Sequence, residues 1–278
     1  MFELRNLTAT RYVQPLREGG SLPAIVDTDD GDLFVVKFRG AGQGVKALVA
    51  ELIVGLLAHE VFPIPELALV DIPEAFGKSE PDPEIQDLLR ASHGVNFGMR
   101  YLDGAFNFDG SAAGDLISPE LAASIVWFDA FVTNPDRTHR NPNLLIWNRL
   151  PWLIDHGAAL YAHHDWGSVD AERTRTPFLL IRSHVLLAVA GSLADADAAN
   201  VAMLSPSVIS EVLATVPDDL LMDTAEGSSD FPSADAARER YVRYLTERLA
   251  ARSVWLAAAS EAQEQLRIEA PQRLEARR

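Results

Sequence analysis

Cysteine is absent from this sequence of 278 residues. Its absence excludes disulfides, thiolate nucleophiles and cysteine-based zinc sites. The N-terminal segment lacks the basic-then-apolar pattern of a signal peptide, and no apolar run reaches the ~18 residues that a membrane span needs. We therefore expect a cytoplasmic protein with no membrane partner.

Positive charge is scarce, because 24 Lys and Arg face 40 Asp and Glu and give a net charge of −16. A surface of this sign repels phosphate backbones, so we expect no independent nucleic-acid binding. Arg137, His139 and Arg140 form one local basic patch. The length and the hydrophobic content of 48% allow one large domain or two lobes.

The N-terminal part of the chain has the pattern of β structure with one long helix. Alternating apolar residues on either side of Asp29-Asp30-Gly31 predict a hairpin. Apolar residues at helical spacing predict a helix over 44–61, which Pro63 and Pro65 end. Strands are then predicted over 66–72 and 96–102, with one or two helical turns near 83–92 between them.

The C-terminal part changes to helical character. Ser118-Pro119-Glu120 combines a cap, a proline at the first helical position and an acid in the first turn, and predicts a helix through Phe131. A polar loop and two short strands follow, and 177–260 is predicted as helical with loops near 191–206 and 222–234. This order predicts an α+β, bilobal fold: a β-rich, nucleotide-binding N-lobe (1–102) and a mostly helical C-lobe (103–278).

Two acids and an amide flank the short hairpin of the C-terminal part. Asp136 follows the long helix, Asn141 lies five residues later, and Asp155 follows the second strand of the hairpin. A hairpin brings residues before its first strand and after its second strand to the same end. Phosphoryl transfer needs one carboxylate to orient the attacking hydroxyl, and a carboxylate and an amide oxygen to hold Mg²⁺. The alternative is that these are ordinary loop residues.

Lys37 and Glu51 both lie among apolar neighbours. Lys37 shares one face of its strand with Leu33 and Val35, and Glu51 lies on an apolar helix. Buried charges need partners, so we predict a Lys37–Glu51 ion pair that leaves Lys37 able to reach phosphate oxygens. The alternative is that Lys37 extends to solvent from an edge strand.

A glycine pair precedes the first hairpin. The backbone amides of Gly19, Gly20 and Ser21 form a candidate phosphate cover, although such a triplet is also a simple turn. The sequence contains neither a GxxxxGK[ST] nor a GxGxxG motif.

These motifs together resemble the HipA-like kinase family, a branch of the protein-kinase-like superfamily. The resemblance covers about residues 15–160. It is carried by the stretches GGSLPAIV, LFVVKF, AELIVGLLAHEVFPIPELALVDI, NFGMRYLDG, FVTNPDRTHRNPNLLIW and LIDHGAAL. His156 departs from the pattern, because protein kinases usually carry Phe after the metal-binding Asp.

The resemblance implies an ATP- and Mg²⁺-dependent kinase whose acceptor is a hydroxyl, with protein Ser/Thr preferred over a small molecule. A nucleotidyltransferase and a non-catalytic pseudokinase are the alternatives. The implied roles are phosphate binding by Lys37, orientation of Lys37 by Glu51, an adenine-binding hinge at Met99, Tyr101 and Leu102, a catalytic base at Asp136, and Mg²⁺ binding by Asp155 with Asn141 or Asn143.

Overall fold

The computed structural model describes residues 3–16, 22–78, 80–110, 114–222 and 230–275, with side chains up to residue 269. Five strands of the N-terminal region close into a barrel in the order β1-β2-β3-β5-β4. All neighbours in the barrel are antiparallel except β1 and β4. The strands are β1 (Arg5–Pro15), β2 (Ala24–Thr28), β3 (Leu33–Lys37), β4 (Leu67–Ile72) and β5 (Gly94–Arg100).

The alternation predicted for β3 separates the barrel core from the cleft. Phe34 and Val36 are fully buried in the barrel core, whereas Val35 and Lys37 line the cleft beside it. In the register of the sheet, Lys37 lies opposite Phe97 of β5. The strand therefore places one cation at the wall of the cleft.

Helix α1 (Gly44–His59) is buried on nearly all sides, with 13 of its 16 residues inaccessible. It confirms the predicted long helix, and it packs against β4, β5 and the C-terminal helices. Gly55 allows a close approach here, because a Cβ at this position would lie 2.8 Å from Leu67 Cδ1. A helix that is apolar on all sides is expected to lie inside the protein. A charged side chain on α1 therefore needs a partner.

The hairpin that carries the candidate site forms as predicted. Strand β6 (Phe106–Asn107) pairs with β7 (Leu144–Trp147), which pairs with β8 (Leu150–Leu153). Asn148 and Arg149 both have positive φ, 50° and 65°, as a tight two-residue hairpin turn requires. The N–H of Ile154 donates to the carbonyl of Asn143 at 3.1 Å, so the two ends of the hairpin meet.

The C-terminal region is helical. Helix α3 (Pro119–Val132) begins where the sequence predicts, with the Ser118 hydroxyl accepting from the N–H of Leu121. It ends at Thr133, which has a left-handed φ of 54°. The other helices are α2 (Pro83–Ala91), α4 (Ala171–Thr174), α5 (Leu193–Met203), α6 (Pro206–Thr215), α7 (Asp218–Leu221), α8 (Ala234–Ala250) and α9 (Arg252–Glu275), with short 3₁₀ turns at Gly114–Leu116, Tyr161–Ser168 and Leu179–Ser183.

One predicted loop is wrong. The segment 191–206 contains α5, which Ser192 caps by accepting from the N–H of Asp195, and which buries Leu193 and Ala196 against the core. Its alanine-rich composition hides the apolar periodicity. Conversely, 184–190 forms turns rather than helix.

No single helix in the described ranges is long and apolar enough to cross a membrane. Among the described residues, one bent pair of helices, α5 and α6, passes this test jointly, by length and composition.

Candidate active site

A cleft of about 1870 Å³ lies between the barrel and the helical region. This volume exceeds the ~300–1,000 Å³ that is usual for a small-molecule site, so there is room for a nucleotide and an acceptor group together. Val35, Met99, Leu144 and Ile154 give one part of the lining an apolar character. The predicted site residues Lys37, Met99, Tyr101, Leu102, Asp136, Asn141, Asn143 and Asp155 all line this cleft.

Lys37 holds two carboxylates at the base of the cleft. Its Nζ donates to Glu51 Oε1 at 2.5 Å and to Asp155 Oδ1 at 2.6 Å. The Lys37 and Glu51 side chains are 11% and 2% exposed, whereas the Asp155 side chain is 42% exposed. The predicted Lys37–Glu51 ion pair is therefore present, and the alternative in which Lys37 extends to solvent is wrong.

Glu51 also accepts from the turn that follows Asp155. The backbone N–H groups of His156 and Gly157 donate to its two oxygens at 2.9 and 2.8 Å. A Cβ at Gly157 would lie 2.9 Å from Glu51 Oε1, so a side chain there would push the carboxylate away. Asp155 itself has a left-handed φ of 57°. Glu51 thus fixes both the lysine and the turn that presents Asp155.

The Lys37 ammonium attracts both carboxylates of this cluster, whereas the two carboxylates repel each other. Burial alone would lower the pKa of Lys37, but the carboxylates of Glu51 and Asp155 outweigh burial and raise it. Burial raises the pKa of Asp155, yet the neighbouring ammonium outweighs it and holds the pKa below its ordinary value. Burial raises the pKa of Glu51, while Lys37 and the His156 N–H oppose that effect. Three N–H donors therefore surround the Glu51 carboxyl group, and burial still outweighs them and leaves its pKa raised.

Two asparagines hold Asp136. Asn141 Nδ2 donates to one carboxylate oxygen at 2.9 Å, and Asn143 Nδ2 donates to the other at 3.2 Å. Asn143 lies directly before β7 and has a left-handed φ of 49°. The carbonyl oxygens of both amides take no part in these two hydrogen bonds.

The structure corrects the predicted basic patch. His139 and Arg140 are exposed at the cleft, but the Arg137 side chain is fully buried. Its Nε donates to Asp129 Oδ2 at 2.5 Å, and its Nη1 donates to the Asn143 carbonyl. Arg137 therefore cannot reach a phosphate, because its charge is used inside the protein.

The sequence analysis did not single out Asp129 and did not predict the burial of His156. Asp129 is a buried acid within the apolar run AASIVWFDAFV of α3, and a charge in such a run is the signal that identifies it. His156 is buried, and neither ring nitrogen has a hydrogen-bond partner among the described residues. Burial and the charge of Arg137 lower the pKa of His156 to about 3, so the ring is neutral.

The donor atoms at Asp155 fit a magnesium ion that arrives with phosphates. Within the described ranges, no group of three or more His, Cys, Asp or Glu side chains is placed to hold a metal. The available donors are the carboxylate of Asp155 and the amide oxygens of Asn141 and Asn143. Mg²⁺ prefers such oxygen ligands and is usually held by one or two carboxylates together with substrate phosphates. Gly19, Gly20 and Ser21 lie outside the described residues.

Comparison with known proteins identifies the family. A family model of the HipA-like kinase matches residues 10–171, more than half of the chain. The chain therefore belongs to the HipA-like kinase family. No curated protein matches the sequence.

Solved structures also match the chain. One of them is a Helicobacter pylori proinflammatory kinase, CtkA, with a TM-score of 0.54, 11% identity, and coverage of 95% of this chain and 99% of that one. At this identity the likeness shows the fold alone: a mixed α+β kinase fold with a β-rich N-terminal region and a helical C-terminal region.

Proposed function

We propose that this protein is an ATP- and Mg²⁺-dependent phosphotransferase that moves the γ-phosphoryl group of ATP to a hydroxyl, with a protein Ser or Thr as the acceptor. One observation carries the proposal. Lys37 contacts Glu51 and Asp155 at 2.5 and 2.6 Å, in a cleft that Asp136 also lines. Membership of the HipA-like kinase family supports the same reaction.

In this proposal each side chain has one task. Lys37 turns toward the α- and β-phosphates, and Glu51 keeps its ammonium in place. Asp155, with Asn141 or Asn143, supplies the oxygen ligands of Mg²⁺, which when bound neutralises phosphate charge. Asp136, positioned by the two asparagines, accepts the proton of the acceptor hydroxyl.

The atoms balance in a single displacement. The hydroxyl oxygen forms a bond to the γ-phosphorus, the bond between that phosphorus and the β,γ-bridging oxygen breaks, and ADP leaves. The hydroxyl proton goes to the Asp136 carboxylate. General-base help of this kind contributes ~10²–10⁴-fold to the rate.

The proposal includes a bilobal arrangement, with residues 1–102 as the nucleotide-binding lobe and 103–278 as the lobe with the catalytic loop. The position of β5 supports this division. Met99 lies near the end of β5, and Tyr101 and Leu102 follow that strand. All three line the cleft with Val35 and Ile154, which suits them to flank an adenine ring. A cytoplasmic location, and the absence of membrane and nucleic-acid partners, remain predictions from composition.

Three alternatives use the same residues differently. A pseudokinase would bind nucleotide without turnover, but Lys37, Asp136 and Asp155 are all present and face one cleft. A nucleotidyltransferase would bind ATP in the reverse direction and transfer its α-phosphoryl group. A small-molecule kinase would differ only in the acceptor.

Parallel incubations with γ-labelled and α-labelled ATP in the presence of Mg²⁺ test the proposal. The acceptors in the tube are water and the hydroxyls of the protein itself. We expect label to leave ATP from the γ-position only. Transfer of α-label to protein would establish a nucleotidyltransferase, and binding without release of either label would establish a pseudokinase.

A further inference from the structure

Asp129 is a buried acid of α3 that the proposed reaction does not use. Its side chain is fully buried, and it accepts from three different side chains. These are Arg137 Nε at 2.5 Å, His184 Nε2 at 2.9 Å and Asn134 Nδ2 at 3.2 Å. Arg137 and His184 outweigh burial and lower the pKa of Asp129, so it is a carboxylate.

Two of these partners, Asn134 and Arg137, belong to the loop around Asp136 and bond to the backbone of the site. Asn134 accepts the backbone N–H of Asp136 at 3.1 Å through its side-chain oxygen. Arg137 donates onward to the carbonyl of Asn143 and to the carbonyl of Ile154, the latter at 3.5 Å. A single intermediate side chain therefore connects the Asp129 carboxylate to backbone groups of this site. Asn134 makes the connection to Asp136, and Arg137 makes it to Asn143 and to Ile154, the neighbour of Asp155.

The third partner, His184, belongs to a segment of the cleft lining that lies next to this loop. His184 Nδ1 accepts the N–H of Leu186 at 3.1 Å, so Nε2 bears the proton and donates to Asp129 as a neutral imidazole. Thr138 and His184 form a β-bridge, and the N–H of Val185 donates to the carbonyl of Arg137 at 3.0 Å. Beyond this junction Val185, Ala188 and Val189 line the cleft.

We propose that Asp129 is a positioning residue that locks the Asp136 loop and the segment 184–189 into one arrangement, through Arg137 and His184. Residues of the segment 184–189 line the cleft beside this loop, and Asp129 sets the position of the segment relative to Asp136. This inference rests on the proposed kinase function, because it treats 134–143 as the catalytic loop. It adds a task for a residue that touches neither nucleotide nor metal.

His184 offers the cleaner variant, because Asp129→Asn leaves Arg137 buried without a counter-charge and invites unfolding. His184→Gln keeps an N–H donor for Asp129, whereas His184→Phe keeps a ring and loses the donor. Asp197→Asn is the matched control. Asp197 also joins helices through partly buried polar contacts, accepting from Trp127 Nε1 at 2.7 Å and from Arg252 Nε at 3.1 Å, and it lies outside the cleft lining.

The first readout is amide hydrogen exchange of the full chain, which needs no kinase activity. For His184→Phe we expect exchange to accelerate at least about tenfold in both 134–143 and 184–189, because a hydrogen bond to a charged group is lost. His184→Gln should restore most of the protection. Asp197→Asn should leave both segments at the wild-type rate.

The second readout is release of γ-phosphate from Mg·ATP. His184→Phe should lower kcat about tenfold or more with KM for Mg·ATP within about twofold, since only the geometry after binding changes. His184→Gln should recover kcat. Unchanged exchange in His184→Phe, or an equal loss of kcat in Asp197→Asn, overturns the proposal. If wild type shows no turnover, the kinase proposal is wrong. The hydrogen-exchange result still decides whether Asp129 positions the two segments.

Discussion

Lys37 Nζ lies 2.6 Å from Asp155 Oδ1, across 118 residues of sequence. In the protein alone, the residue that we propose to bind phosphate is therefore paired with the residue that we propose to bind metal, as well as with Glu51. A nucleotide with its metal offers each of them a new partner of the right sign. The ion pair keeps the cleft free of an unpaired buried charge until that exchange takes place.

This relationship predicts different effects for Asp155 and Asp136, two of the acids that line the cleft. Asp155→Ala should weaken Mg·ATP binding at least about tenfold, because Mg²⁺ loses a carboxylate ligand. Affinity for ATP in excess chelator should not fall, because Lys37 is released from one partner. Asp136→Ala should change either affinity by less than about threefold. Calorimetric titration of the three proteins with and without Mg²⁺ tests this, and equal losses in both variants would show that the roles are assigned wrongly.

Glu51 and Lys37 should differ in their importance for stability. Glu51→Leu leaves Lys37 with one partner and two backbone N–H groups, of His156 and Gly157, without an acceptor. We expect a loss of about 3–5 kcal/mol in the free energy of unfolding. Lys37→Met leaves Glu51 with those two donors and should cost about 1–3 kcal/mol. Urea unfolding measures both, and the reverse order would contradict the assignment of Glu51 as the residue that fixes the turn.

His156 should make the protein sensitive to mild acid. Its pKa in the folded protein is about 3, below the ordinary value of 6.5. As pH falls below about 6.5 the unfolded chain binds a proton that the folded protein refuses, so folding stability falls with pH by about 1.4 kcal/mol per pH unit for this group. His156→Phe removes that contribution and the two unpartnered nitrogens.

As pH falls from 6 to 4, the free energy of unfolding should therefore decrease less in His156→Phe than in wild type. We expect the difference between the two slopes to be about 1.4 kcal/mol per pH unit. His163 and His184 also have lowered pKa values and contribute to the slope in both proteins, so the difference between the proteins isolates His156. Unfolding free energies at pH 7, 6, 5 and 4 provide the test. Parallel curves would mean that His156 is protonated in the folded protein or solvated in a way that the structure does not show.

The elements of the site that follow short-range patterns were predictable from the sequence. Alternation in β3 placed Lys37 opposite the barrel core, helical spacing placed Glu51 on an apolar helix, and turn residues defined the hairpin before Asp155. Each of these depends on neighbours within a few residues, which is the range over which periodicity carries information.

The contacts between distant segments were not predictable in the same way. Arg137 has the sequence context of an exposed loop residue. Only the packing of α3 against the loop shows that its side chain is buried and paired with Asp129. Likewise, no local pattern indicates that both Asn141 and Asn143 donate to Asp136. The choice between these two asparagines as the metal ligand stays a prediction, since each has an amide oxygen outside its bond to Asp136.

The central claim is that Asp136 is the base of a phosphoryl transfer. Asp136→Asn keeps the size of the side chain in a loop position that carries little of the core, so we expect a melting temperature and a Mg·ATP affinity close to those of wild type. An amide cannot take the proton of a hydroxyl, and general-base contributions are ~10²–10⁴-fold.

The most direct measurement is the rate of γ-phosphate release from saturating Mg·ATP by wild type and by folded Asp136→Asn. We expect the rate to fall at least about 100-fold in the variant. A rate within about threefold of wild type would contradict it and show that Asp136 is not the base.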